Sequence, residues 1–308
     1  MSDSPASNIE ETPEQQVRNG LLAALGAYGI WGIMPVYFVL VREVAAFEVL
    51  AHRILWAVPF GALILSVRGQ WPEVRTALSH RRMLSLLSLS ALCIAGNWFG
   101  YITAIQTEQI FQASLGYYIN PLLFALAGVL LLGERLRRLQ AVAVLLAAVG
   151  VLVLTFSGGQ FPRIAIFLGI SFTIYGIIRK RVVIGGMPGL FVETLVLLPL
   201  ALGWLAWLGT RHEMVFWIDG GTISWLLTLA GPITVVPLLF FAVAARRLSL
   251  TTVGMMQFIA PTLQFFFAVY YGEPLTTAHL VCFACIWTAV GLFSWDVWRN
   301  SRAARARR

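Results

Sequence analysis

From residue 20 to residue 297, apolar runs follow one another ten times with only short polar breaks between them. Each run has about 20 residues, the length that a helix needs to cross a hydrocarbon layer. They fall at 20–41, 45–67, 83–105, 110–132, 139–157, 162–182, 187–209, 222–244, 251–271 and 277–297. Hydrocarbon offers no partner to an open backbone amide, so each run has to be helical. Composition agrees, with 59% hydrophobic and 12% charged residues against roughly 45–50% and 25% in a soluble domain. The expected fold is all-α and integral to a membrane, with ten transmembrane helices.

The basic residues orient those helices. If the amino terminus is cytoplasmic, the breaks on its side of the membrane hold 18 of the 22 basic residues, among them Arg68, Arg81, Arg137, Arg179 and Arg246. The opposite loops and span ends hold only Arg42, Arg163 and Arg211, while Arg53 lies well inside a span. Such a split follows the positive-inside rule and places both termini in the cytoplasm. The net charge of +8 is thus explained by topology, and nucleic acid is not an expected partner. The partners expected are the lipid bilayer and a small-molecule substrate; the oligomeric state is left open.

The chain also repeats itself. Ser114 to Pro121 reads Ser-Leu-Gly-Tyr-Tyr-Ile-Asn-Pro, and an apolar run then leads to Gly133-Glu134. Later, Val-Gly-Met-Met-Gln-Phe-Ile-Ala-Pro ends at Pro261, and a similar run leads to Gly272-Glu273. Ile119 and Pro121 lie 140 positions before Ile259 and Pro261, and the Gly-Glu pairs lie 139 apart. Ile30-Trp31-Gly32-Ile33 is echoed by Ile174-Tyr175-Gly176-Ile177, and Phe47-Glu48 by Phe191-Val192-Glu193. A unit of five spans is odd in number, so its second copy enters the membrane inverted. The expected organisation is a disordered tail at 1–19, one five-helix repeat at 20–157, a second at 162–297 and a basic cytoplasmic tail at 298–308. Inverted repeats place a binding site near the bilayer midplane and let one half rock against the other.

This pattern resembles the EamA-type permeases of the drug/metabolite transporter superfamily. The run Glu48-Val-Leu-Ala-His-Arg-Ile-Leu-Trp56, together with Ser-Leu-Gly-Tyr-Tyr-Ile-Asn-Pro-Leu and Gln257-Phe-Ile-Ala-Pro-Thr-Leu, is similar to the RarD branch. The resemblance covers about residues 20–297. It implies a bacterial inner-membrane permease built of two EamA repeats.

Ionisable groups inside a bilayer cost about 2.5–3.5 kcal/mol each on insertion scales, so each is a functional candidate. Span two holds Glu48, His52 and Arg53. Glu48 and His52 are four apart, on one helix face, and Arg53 is rotated about 140° from Glu48. Arg53 is suited to hold a carboxylate, and His52 with Glu48 to exchange a proton, because histidine titrates near neutral pH. Alternatively the three neutralise one another. Glu193 is a third candidate for proton coupling.

Spans four and nine supply Tyr117, Pro121 and Phe124, and Gln257, Pro261 and Gln264, each set on one face at i, i+4, i+7. Pro121 and Pro261 are expected to kink their helices. Asn120, Asn97, Tyr101, Trp31 and Tyr175 complete the expected substrate lining. Gly26, Gly29 and Gly32 form a small-residue stripe that reads as close helix packing. Gly133 and Gly272 are expected to end helices in the left-handed conformation, which places Glu134 and Glu273 at the amino terminus of the helix that follows each.

Cys93, Cys282 and Cys285 lie inside apolar runs and read as small packing residues. No cofactor, metal or catalytic residue is expected, because no phosphate-binding loop, His-Glu-x-x-His or Gly-x-Ser-x-Gly motif is found. The expected function is a secondary carrier working by alternating access, with proton coupling as an option that span two offers. A passive channel, a non-transporting sensor and a membrane-embedded enzyme using His52 and Glu48 are the alternative classes.

Overall fold

A computed structural model describes residues 13–132, 136–157, 161–216, 221–248, 253 and 256–305. Among them are eleven helices: α1 (Pro13–Leu40), α2 (Ala46–Arg68), α3 (Trp71–Ser79), α4 (Arg81–Gln106), α5 (Ile110–Leu132), α6 (Arg138–Ser157), α7 (Arg163–Arg181), α8 (Gly186–Thr210), α9 (Thr222–Arg247), α10 (Ile259–Tyr270) and α11 (Thr277–Arg305). There is no strand among the described residues. Seven of these helices are long and apolar enough to cross a membrane, and α10 is a shorter apolar helix.

Helix α3 is an addition to the expected list. It lies in the break after span two, and its nine residues are too few to cross a bilayer. It starts with Pro72 in its first turn, where an amide is not needed, and buries Val74 and Ala77 against α4 and α8. The terminal helices also run further than expected. Pro13 opens α1 and Glu14 sits in its first turn, so residues 13–19 continue the first span as helix. Likewise α11 continues into the basic segment as far as Arg305.

Packing pairs are mostly distant in sequence. α1 lies against α9 and α10, α7 against α4 and α5, α2 against α8 and α9, α6 against α11, and α5 against α10. Small residues make these approaches possible. At the α6–α11 seam, a Cβ on Gly150 would come within 3.0 Å of the Cys282 carbonyl and 2.8 Å of the Cys285 Cβ, so the cysteine pair serves packing. In the glycine stripe of α1, Gly26 faces Phe240 of α9 and Gly32 faces Leu263 of α10, while Gly29 meets nothing within 4 Å.

The two ends of the bundle differ. One gathers Arg68, Arg81, Arg137 and Arg247 at helix ends, and is tied by Arg137 Nε to Asp296 Oδ2 at 2.6 Å and by the Gly185 amide to Glu73 Oε2 at 2.9 Å. The arginine-poor end carries the start of α2, the 271–276 turn and the 211–216 segment. There the Val215 amide donates to Glu48 (2.9 Å) and the Ile164 amide to Gln112 (3.0 Å).

Candidate functional site

Arg53 is the cation that the sequence places within a span, and it sits about two turns into α2 from the arginine-poor end. Only 6% of it is exposed. Its Nε donates to Thr234 Oγ1 of α9 at 2.8 Å, and its guanidinium lies 4.1 Å from the ring centroid of Trp98 and 5.9 Å from that of Phe38. Among the described residues no carboxylate approaches within 4.0 Å of it. Tyr37, Tyr101 and Tyr117 surround the charge closely enough to interact with it electrostatically.

Those three phenols differ in their partners. The Tyr37 hydroxyl donates to the Leu226 carbonyl (3.0 Å), and the Tyr117 hydroxyl to Asn97 Oδ1 (3.1 Å). The Tyr101 hydroxyl is buried and has none, although its ring packs on Phe38 (5.7 Å) and Tyr117 (5.5 Å). Asn97 is held by both ends of its amide: Nδ2 donates to the Leu168 carbonyl (2.9 Å) and to Ser171 Oγ (3.0 Å) of α7. Asn97 and Tyr101 share a face of α4 at i, i+4, which is why one helix presents both. Five helices (α1, α2, α4, α5 and α9) meet at Arg53, and α7 joins them through Asn97.

Helix α7 carries this cluster onward. Ser171, Tyr175 and Arg179 recur at i, i+4, i+8 and so line one face. Nearer the arginine-rich end, Tyr175 donates to Glu193 Oε2 at 3.4 Å and Arg179 Nε lies 3.7 Å from Glu193 Oε1. The same oxygen accepts from Ser90 of α4 at 2.5 Å. Glu193 itself is fully buried. Arg179 reaches it across Gly189, where any Cβ would overlap the guanidinium. Arg179 lies near the arginine-rich end of α7, and its long side chain turns back into the bundle.

Other expected residues lie apart from these two clusters. Glu48 and His52 approach only to 4.0 Å, because the Glu48 carboxylate is taken by the Val215 amide. His52 stacks on Phe216 at 4.7 Å, and neither ring nitrogen has a hydrogen-bond partner. Glu48, His52 and Arg53 therefore do not form one neutralising group, since the 100° step between positions 52 and 53 sends Arg53 into the bundle and His52 to the end segment. Gln264 donates to the Trp31 carbonyl at 3.1 Å and leaves its own Oε1 unpaired, as does Asn120 with its Oδ1. Trp31 packs its ring on Tyr28 and Phe241.

Pro261 falls in the first turn of α10, where a missing amide breaks no hydrogen bond. Its carbonyl accepts from Ser114 at 2.8 Å. Gln257 precedes that helix in a turn, so it does not share a helical face with Pro261 and Gln264. Pro121 lies inside α5. Gly133 and Glu134 lie outside the described residues. Thr234, Ser171, Ser90 and Arg179 are the polar contributors that sequence reasoning passes over. The signal for the first three is a lone hydroxyl within an apolar run, which is too common to single out.

Gly272 follows α10 with a φ of +80°. The Glu273 amide then bonds back to the Ala268 carbonyl (3.0 Å) and the Gly272 amide to Val269 (3.1 Å), the double bond of a Schellman ending. This aims Glu273 away from the helix that follows it. Its carboxylate accepts from the amides of Ile110 and Phe111, at the start of α5. Burial is the main reason its pKa is raised, to about 7; the two amides pull it down and neighbouring Glu108 pushes it up.

The EamA-like transporter family matches residues 18–156. The chain is 44% identical to "Protein RarD" of Salmonella typhimurium over 283 residues, covering 92% of this chain and 96% of that protein. It is 42% identical to an "Uncharacterized transporter" of Vibrio cholerae over 299 residues, or 96% and 99% of the two. A solved crystal structure shares the fold with a TM-score of 0.59 at 19% identity, covering 91% of this chain and 97% of that one.

Proposed function

The chain belongs to the RarD-type branch of the EamA-like transporter family, a group of multi-pass membrane transporters, and we propose that it is a secondary carrier moving a small metabolite or drug-like molecule by alternating access. Ten helices would cross the membrane as two inverted five-helix repeats, with α3 lying outside them. Support comes from the packing pairs. Exchanging α1, α2, α4, α5, α6 for α7, α8, α9, α10, α11 turns α1–α9 into α7–α4, α1–α10 into α7–α5 and α2–α9 into α8–α4. It leaves α2–α8, α5–α10 and α6–α11 unchanged.

The arginine-rich end would be cytoplasmic, and the membrane a bacterial inner membrane. The observation that carries the carrier reading is the buried polar cluster where the repeats meet: Arg53, Asn97, Tyr101 and Tyr117 from one, Thr234 and Ser171 from the other. Substrate would bind there, with Tyr175 of the adjoining Glu193 cluster as further lining; Asn120, Gln264, Trp31, Gln257 and His52, which lie apart from it, would be reached only as the site opens. Cross-repeat ties at the outer end, through Glu48, Gln112 and Glu273, would part when the site opens outward. For proton coupling the geometry favours Glu193. It is buried, it joins α4 to α7 and α8, and Ser90, Tyr175 and Arg179 all approach its carboxylate.

The test begins with thermal stabilisation of the purified full chain by organic acids, amines, neutral metabolites and chloramphenicol. Ligands that bind the folded state raise its melting temperature. Each stabilising compound is then followed in proteoliposomes by counterflow. Saturable counterflow is the expected result. Flux that stays linear with concentration and shows no exchange would make the protein a channel.

A further inference from the structure

The Arg53 cluster narrows the substrate class, and the argument rests on the carrier reading above. A guanidinium in the membrane interior is costly to keep. The ring contacts with Trp98 and Phe38 offset part of that cost, and a hydrogen bond to neutral Thr234 adds little more. Buried cations are ordinarily paired with an acid; here Glu48, five residues earlier on the same helix, is engaged with the Val215 amide instead.

Two further features give the site a shape. The guanidinium carbon lies 4.1 Å from the Trp98 ring centroid, and Nε is spent on Thr234. The edge formed by the two terminal nitrogens is the part of the fork that recognises a carboxylate bidentately. Near the same charge, the buried hydroxyl of Tyr101 has no hydrogen-bond partner among the described residues. A buried O–H without a partner is destabilising unless something else uses it. One cation and one spare donor, walled by Phe38, Trp98, Tyr101 and Tyr117, complement an anion with two oxygens on a flat apolar body.

We infer that the transported molecule is a small organic carboxylate with a planar apolar portion, its carboxylate on the Arg53 guanidinium and the Tyr101 hydroxyl. Tyr101 is then a specificity-determining residue, and it permits a test that a structural role does not mimic. The hydroxyl makes no hydrogen bond among the described residues, so Tyr101→Phe removes no internal hydrogen bond.

The experiment compares phenylacetate, its neutral isostere phenylacetamide and the cation 2-phenylethylamine by thermal-shift titration of the full chain, wild type and Tyr101→Phe, with Arg53→Gln alongside. The expected result is stabilisation by phenylacetate at concentrations at least tenfold lower than by the amide, and none by the amine. Tyr101→Phe should melt at the same or a higher temperature without ligand and bind phenylacetate about tenfold more weakly; Arg53→Gln should lose the preference for charge. Equal binding of all three compounds, or unchanged phenylacetate binding in Tyr101→Phe, would overturn the carboxylate assignment and leave the carrier standing. If compounds of every charge fail to stabilise a folded wild type or to exchange in counterflow, both readings fall. Should Arg53→Gln not fold, the comparison of ligands on wild type and Tyr101→Phe decides by itself.

Discussion

Glu273 and Phe111, 162 residues apart, are joined by a 2.9 Å hydrogen bond from the Phe111 amide to the Glu273 carboxylate. The acid thereby caps a helix in the other half of the chain. Because burial raises its pKa from the ordinary 4.5 to about 7, the folded state holds this proton more tightly than the unfolded one. The linked stability is fully present below about pH 4.5 and is lost as pH rises through about 7. Glu108 and His279 are the other titratable groups beside the cap. The melting temperature of wild type is therefore expected to fall between pH 5 and 8. Glu273→Gln, which keeps an acceptor oxygen but cannot ionise, should flatten that slope. An identical slope in the variant would place the titration elsewhere.

Gly189 exists at its position because Arg179 passes over it toward Glu193. Adding a methyl group there forces the guanidinium aside, and overpacking of this kind costs about 1–3 kcal/mol. Gly189→Ala is expected to lower the melting temperature, and adding Arg179→Ala should recover part of the loss. No recovery in the double variant would mean that another contact is the one crowded.

Glu193→Gln keeps hydrogen-bonding atoms for Ser90 and Tyr175 while removing the charge that faces Arg179. If this acid carries the coupled proton, substrate accumulation driven by a pH gradient should drop to background, whereas counterflow at equal pH on both sides should persist. Retained gradient-driven accumulation would remove Glu193 from coupling and return attention to His52.

At the α6–α11 seam, a valine at position 150 would drive side-chain atoms into the Cys282 carbonyl and the Cys285 side chain. Backbone cannot yield as a flexible side chain does, so Gly150→Val is expected to cost about 1–3 kcal/mol or more, read as a lower melting temperature. Asp296→Asn, which weakens the pair between buried Asp296 and half-exposed Arg137 at one end of the same seam, should cost about 1 kcal/mol. The reverse order would show that the seam is held by charge and not by close packing.

Hydropathy alone determined that this is an all-helical membrane protein and where its apolar runs fall. Those are properties of segment length and period, fixed by the thickness of hydrocarbon and the need to satisfy each backbone amide locally. The sequence also singled out Arg53, Asn97, Tyr101, Tyr117, Tyr175 and Glu193, because polar groups in apolar runs are conspicuous. It did not settle their partners. That Glu48 would cap the Val215 amide and leave Arg53 without an acid, that Glu273 would cap α5 and not the helix after it, and that Arg179 would turn inward past Gly189 were decided by tertiary structure. Such pairings depend on which helix faces meet across more than a hundred residues, and on a 100° step between neighbours that sends His52 and Arg53 to different surroundings.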